Sequence, residues 1–83
     1  MKLTEQSIGN EYQLMTPKNL SGKRRRYGIF RVDMVENGIA SGSLSDNPLY
    51  YNWEPCKWLF NEDGHSVDEL GKLCINGFVL EYI

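Results

Sequence analysis

Two stretches of the chain alternate apolar and polar residues at every second position. From Glu11 to Met15, Tyr12 and Leu14 share one face while Gln13 and Met15 share the other. That period predicts a short strand, which Pro17 ends or confines to a sheet edge. From Tyr27 to Val35, Phe30, Val32 and Met34 form a uniformly apolar face, whereas Tyr27, Ile29, Arg31, Asp33 and Val35 form a mixed one. A strand over 27–36 with its first face toward the core follows. Asn37-Gly38 is the strongest turn signal, because both central residues of a type I′ hairpin take positive φ. A two-residue loop places Met34 opposite Ser41, Val32 opposite Ser43, Val35 opposite Ala40 and Asp33 opposite Gly42. The return strand, 39–45, is small-sided and leaves room for something bulky.

The bulk lies in Leu49–Phe60, which holds five of the ten aromatic residues. Asn47-Pro48 introduces it as a turn, and a strand over 49–53 is expected. Tyr51 and Trp53 share one parity, and Trp58 and Phe60 share the other, with Glu54-Pro55 between them. Two accounts fit: a strand bulged at Pro55, or a short helix that begins there. Tyr50 and Tyr51 cannot both point inward on a regular strand, so one of them is exposed. Further on, Ser66-Val67-Asp68-Glu69 has the form of a capping box, and Val67, Leu70, Leu73 and Cys74 recur at helical spacing. A helix over 67–74 is expected, weakened by about 1 kcal/mol by Gly71. Asn76-Gly77 ends it, and Phe78–Ile83 reads as the last strand.

The expected fold is therefore α+β. An antiparallel sheet of four to five strands (11–15, 27–36, 39–45, 49–53 and 78–83) packs on one face against the helix. Its core unites Phe30, Val32, Met34, Leu70, Leu73, Phe78 and Leu80. At 83 residues the chain makes one domain, 1–83, with little apolar area to spare for an internal ligand cavity.

Charge changes the picture more than composition does. Residues 1–31 carry seven basic and two acidic side chains, for +5, and residues 32–83 carry two basic and nine acidic, for −7. No run approaches the roughly 20 apolar residues of a membrane span, and Met1–Gln6 lacks the apolar core of a signal peptide. A cytoplasmic protein without membrane association is expected, with Cys56 and Cys74 as buried, inert free thiols.

Candidate chemistry is sparse. His65 is the only histidine, so a Cys–His nucleophilic pair is conceivable but weakly supported. The acids miss calcium-loop spacing, the thiols miss zinc and redox spacing, and no phosphate-cradling glycine loop is present. No catalytic residue, cofactor or metal is assigned, and an enzyme is not expected. The function-like features are the basic run Lys23, Arg24, Arg25 and Arg26 and the aromatic side chains of Tyr50, Tyr51 and Trp53. They point to a small non-catalytic regulatory or accessory protein that binds another protein. An inhibitor, an antitoxin-like partner or a small mobile-element protein would all fit. The alternative is a nucleic-acid-binding module, in which the basic run contacts phosphates and tyrosines stack on bases. The same run also suits a solvated loop that discourages edge pairing. Homo-oligomerisation is left open.

Overall fold

The computed structural model of the protein describes residues 1–46 and 52–83. Its architecture is mostly β: a short 3-10 turn (Glu5–Ser7) and seven strands in one antiparallel sheet. The strands are β1 (Glu11–Met15), β2 (Arg26–Glu36), β3 (Ile39–Ser45), β4 (Glu54–Pro55), β5 (Leu59–Asn61), β6 (Ser66–Val67) and β7 (Val79–Glu81). The spatial order is β6-β5-β3-β2-β1-β7, with β4 paired to β3 beside β5. The two ends of that order meet. His65 bridges Val79, Leu80 N donates to Gly64 O, and Ser66 N donates to Phe78 O. The sheet thus curls into a small closed barrel, which satisfies the backbone groups an open edge would expose.

The barrel interior holds Tyr12, Leu14, Phe30, Val32, Ala40, Phe60 and Leu80, with Leu3 added from the N-terminal segment. Phe30 and Phe60 meet edge to face at 4.8 Å between centroids and have no exposed surface. Tyr12 and Leu14 are buried on one face of β1, as the alternation predicts.

The β2–β3 hairpin turns at Asn37 (φ 53°) and Gly38 (φ 76°), in the positive region that its type I′ reading requires. Met34 faces Ser41 and Val35 faces Ala40, as expected. Beyond them the expected register fails. Val32 lies opposite Gly42 rather than Ser43, because Asp33 is an extra residue in a β-bulge. Gly42 permits the close approach: a Cβ there would fall 1.8 Å from Arg31 O and 2.9 Å from Phe30 Cζ. The bulge reverses the parity of β2. Met34 consequently faces solvent at 53% exposure instead of joining the core, and Val35 packs against the core in its place.

The expected helix over 67–74 does not form, so the α+β reading gives way to a mostly β one. Ser66 is a buried strand residue rather than an N-cap, with its backbone bonded to Phe78 O and Cys74 N. Asp68 then competes for the backbone. Its carboxylate accepts from Leu70 N and Lys72 N, both at 2.9 Å, and its own N–H donates to Lys72 O. Gly71 completes this turn at φ 80°. A two-turn helix carries a nucleation cost that one amphipathic stripe does not offset, whereas bridge and strand backbone at 65–67 closes the barrel. Leu70 and Leu73, expected in the core, are 82% and 56% exposed.

The aromatic stretch divides as its parity break implies. Of the strand expected over 49–53, residues 49–51 lie outside the described residues, and Asn52 and Trp53 belong to no strand. Glu54–Pro55 and Leu59–Asn61 both pair with β3, and 55–62 contains no helix. Phe60 enters the barrel opposite Ala40, the small residue that makes room for it. The last strand is shorter than expected, at Val79–Glu81.

Candidate functional site

Strand register defines two ends of the barrel. At the end where β2 begins, β1 and β2 are joined by residues 16–25, which carry Lys23, Arg24 and Arg25 of the basic run, while Arg26 opens β2. This connection is tied throughout. Asn19 Oδ1 accepts from Ser21 N and Lys23 N, Thr16 N donates to Arg25 O, and Arg25 N donates to Thr16 Oγ1. The four cations therefore have different surroundings. Arg24 is half-buried, and its Nη1 donates to Thr16 O at 3.0 Å and Gly77 O at 2.7 Å. It clamps the hairpin stem to the 68–78 segment. Lys23, Arg25 and Arg26 are exposed and form no ion pair among the described residues.

Beside this stem, three rings close the barrel end. A second irregularity in β2 leaves Tyr27 unpaired, since Leu14 faces Gly28 and Met15 faces Arg26. Tyr27 meets Trp58 at 5.2 Å and Phe78 at 5.5 Å, both edge to face, and Trp58 meets Phe78 at 4.8 Å. Trp58 and Phe78 also pack on the core, while Tyr27 remains 50% exposed. Next to Phe78 a cavity of about 170 Å³ is lined by Arg24, His65, Leu73, Cys74, Ile75 and Phe78, among others. Ile75 is 87% exposed, and Leu20 in the basic connection is fully exposed. Phe78 thus links the ring cluster to a cavity that also takes in Arg24, Leu73 and Ile75.

Trp53 lies elsewhere. Its ring sits under the Arg31 guanidinium at 4.8 Å, on the outer face of β2 and β3. Arg31 Nε donates to Asp33 Oδ1 at 2.8 Å, and Ser43 Oγ donates to Asp33 Oδ2 at 2.5 Å. Partial burial pushes the Asp33 carboxyl up, but the hydrogen bonds from Arg31 and Ser43 and the guanidinium charge outweigh it and hold the pKa below the usual 3.8. No hydrogen bond, ion pair or ring contact joins Trp53 to Lys23–Arg26 among the described residues. Tyr50 and Tyr51 lie outside the described residues. Of the five sequence-predicted site residues that are described, Trp53 is not brought to Lys23–Arg26.

The thiols are free, but they are not both buried. Cys74 is exposed, contrary to expectation, because the helix that was to bury it is absent. Cys56 is half-buried and donates to Gly42 O at 3.4 Å. Burial pushes its pKa up; a backbone hydrogen bond at Trp58 works the other way, and the negative charge of Asp33 adds to the rise. That is the wrong direction for an activated nucleophile. His65 and Cys74 line the same cavity, yet no hydrogen bond joins them among the described residues. A larger hollow of about 490 Å³, lined by Leu44, Ser45, Asp46, Asn52, Glu54, Pro55 and Cys56, presents two carboxylates and no described cation. No group of three or more potential metal ligands occurs among the described residues.

Sequence reasoning missed Trp58, Phe78, Leu73 and Ile75 as parts of a surface. Only Ile75 carried a signal: it is a branched apolar residue directly before the Asn76-Gly77 turn, where polar residues are usual. Among the described residues no helix is long and apolar enough to cross a membrane. No protein-family model matches the chain, and no curated protein or solved structure matches it either.

Proposed function

We propose that this protein is a small non-catalytic binding module, regulatory or inhibitor-like, that docks another protein on the barrel end formed by Tyr27, Phe78, Leu73 and Ile75. One observation carries the reading. A half-exposed tyrosine is held by two further rings, and one of these, Phe78, lines a cavity together with the 87%-exposed Ile75 and with Arg24. Rigid aromatic and aliphatic anchors inside a charged rim are what a protein interface uses for affinity and orientation. The ring cluster limits the side-chain freedom Tyr27 would lose on binding. A cytoplasmic setting goes with this reading and is supported by the two free thiols.

The test compares proteins retained from a lysate by immobilised wild type, by Tyr27→Ala and by Ile75→Glu. A specific partner is held by wild type and lost from both variants while their folds persist. Retention that ignores both substitutions overturns the reading.

The second reading, nucleic-acid binding, is favoured by the exposure of Lys23, Arg25 and Arg26 beside Tyr27. It is weakened because Arg24 is committed to backbone carbonyls and the 68–78 segment also exposes Asp68 and Glu69. Titration with single- and double-stranded DNA and RNA at two salt concentrations decides it, since phosphate contacts make affinity fall steeply with salt.

A further inference from the structure

The geometry points to a carboxylate-binding pocket at Arg24, which takes the side chain of a glutamate or aspartate flanked by apolar residues in the protein partner. This rests on the reading of the aromatic end as a docking surface and names the feature recognised there. Nη1 of Arg24 is occupied by Thr16 O and Gly77 O. Its Nε and Nη2 have no acceptor among the described residues, and the residue lines the 170 Å³ cavity. The two backbone carbonyls hold Nη1, which restricts the guanidinium before a ligand arrives. A fixed guanidinium suits a carboxylate because its donors match the two oxygens. The other walls are largely apolar, with Leu73, Ile75, Phe78 and Val79, so the residues beside the carboxylate should be apolar as well.

Size and charge select among anions. The cavity holds a group the size of an amino-acid side chain. Arg24 is the one arginine or lysine among its described lining residues. A phosphate dianion carries more charge than the single Arg24 guanidinium balances. A monoanionic carboxylate is matched by Arg24 alone.

The experiment titrates the isotope-labelled 83-residue chain with capped acetyl-leucyl-glutamyl-leucine amide and follows the Arg24 Nε–H signal and the amides of 73–78 by NMR. Glutaminyl and phosphoseryl versions of the same peptide are the comparison arms. The expected result is saturable perturbation confined to those signals, with about tenfold weaker binding of the glutaminyl peptide from loss of the charge-assisted bonds. Ile75→Glu, at an exposed rim position, should weaken the glutamyl peptide by at least as much without moving signals elsewhere. Arg24→Gln should abolish the preference for glutamyl over glutaminyl peptide. If it unfolds the hairpin stem, Ile75→Glu still decides the question. Equal binding of both peptides, perturbation at other sites, preference for the phosphoseryl peptide, or no perturbation overturns the pocket. Should the peptide fail while Tyr27→Ala and Ile75→Glu still abolish partner retention, carboxylate recognition falls and the docking surface stands. If retention ignores those substitutions, the docking surface itself falls.

Discussion

The two ends of this barrel solve the same closure problem in opposite ways. At the end where β2 finishes, the N-terminal segment folds across as an aliphatic plug. Leu3 is 2% exposed, its N–H donates to Glu62 O at 2.7 Å, and Gly9 N donates to Val32 O at 2.7 Å. Thr4 and Ser7 cap the short 3-10 turn reciprocally. At the other end the closure is aromatic and incomplete. Tyr27 leans on Trp58 and Phe78 but keeps half its surface in water. One end spends its apolar groups on stability, and the other leaves some outward. In a chain this short, where each buried side chain is a large share of net stability, apolar surface left out has a cost that a docking role would explain.

The largest expected effect breaks the plugged end. Leu3→Ala should lower unfolding free energy by about 2–5 kcal/mol, measured by urea titration, because it leaves a cavity under fixed backbone. Partner retention by the folded fraction should not change. Tyr27→Ala should show the reverse pattern. Its half-exposed ring contributes less to folding, about 1–2 kcal/mol including two edge-to-face contacts, whereas partner retention should be lost. Gly71→Ala sharpens the account of the segment beside the aromatic end. At φ 80° an alanine is strained, and destabilisation by about 1 kcal/mol is expected. A helical 67–74 would instead be stabilised, so the sign alone discriminates.

The smallest effect concerns the outer face between the ends. The folded Asp33 carboxyl titrates below its ordinary 3.8, so its contribution to stability is present above that value and lost as pH falls through the folded pKa. The side chain is 40% exposed, and its pairing is screened accordingly. Wild type should exceed Asp33→Asn slightly at neutral pH and converge with it in thermal melts as pH falls through the folded pKa, below the ordinary 3.8. Thiol labelling gives a check independent of stability: Cys74 should alkylate before Cys56, which is half-buried with a raised pKa.

How much of this was legible in the sequence depended on whether the deciding interaction was local. The Asn37-Gly38 turn was, since its two residues supply the conformation themselves. Strand alternation in β1 was legible for the same reason; in β2 Phe30 and Val32 are buried as the period implies, but Ile29 on the opposite face is buried as well. Met34 was misplaced because the bulge at Asp33 depends on Gly42, across the sheet. The helix was misjudged because a capping-box pattern and a 3.6 period, both genuine, competed with Asp68 turn chemistry and with closure of the barrel through His65 and Val79. Nothing local to 66–74 reveals that closure. The candidate site followed the same rule. The basic run was found, but Arg24's inward role and the meeting of Tyr27 with Phe78 and Trp58 are long-range facts. Trp53 was grouped with the run by sequence proximity of aromatics, and the fold carries it to Arg31 instead.

The most direct test of the two-ended account is amide hydrogen exchange on the partner-bound protein against the free protein. Added protection confined to residues 18–27 and 72–78 is predicted, with the Leu3–Asn10 segment and Asn61–Gly64 unchanged. Protection centred on Leu3–Asn10 and Asn61–Gly64, with the aromatic end unaffected, would contradict it.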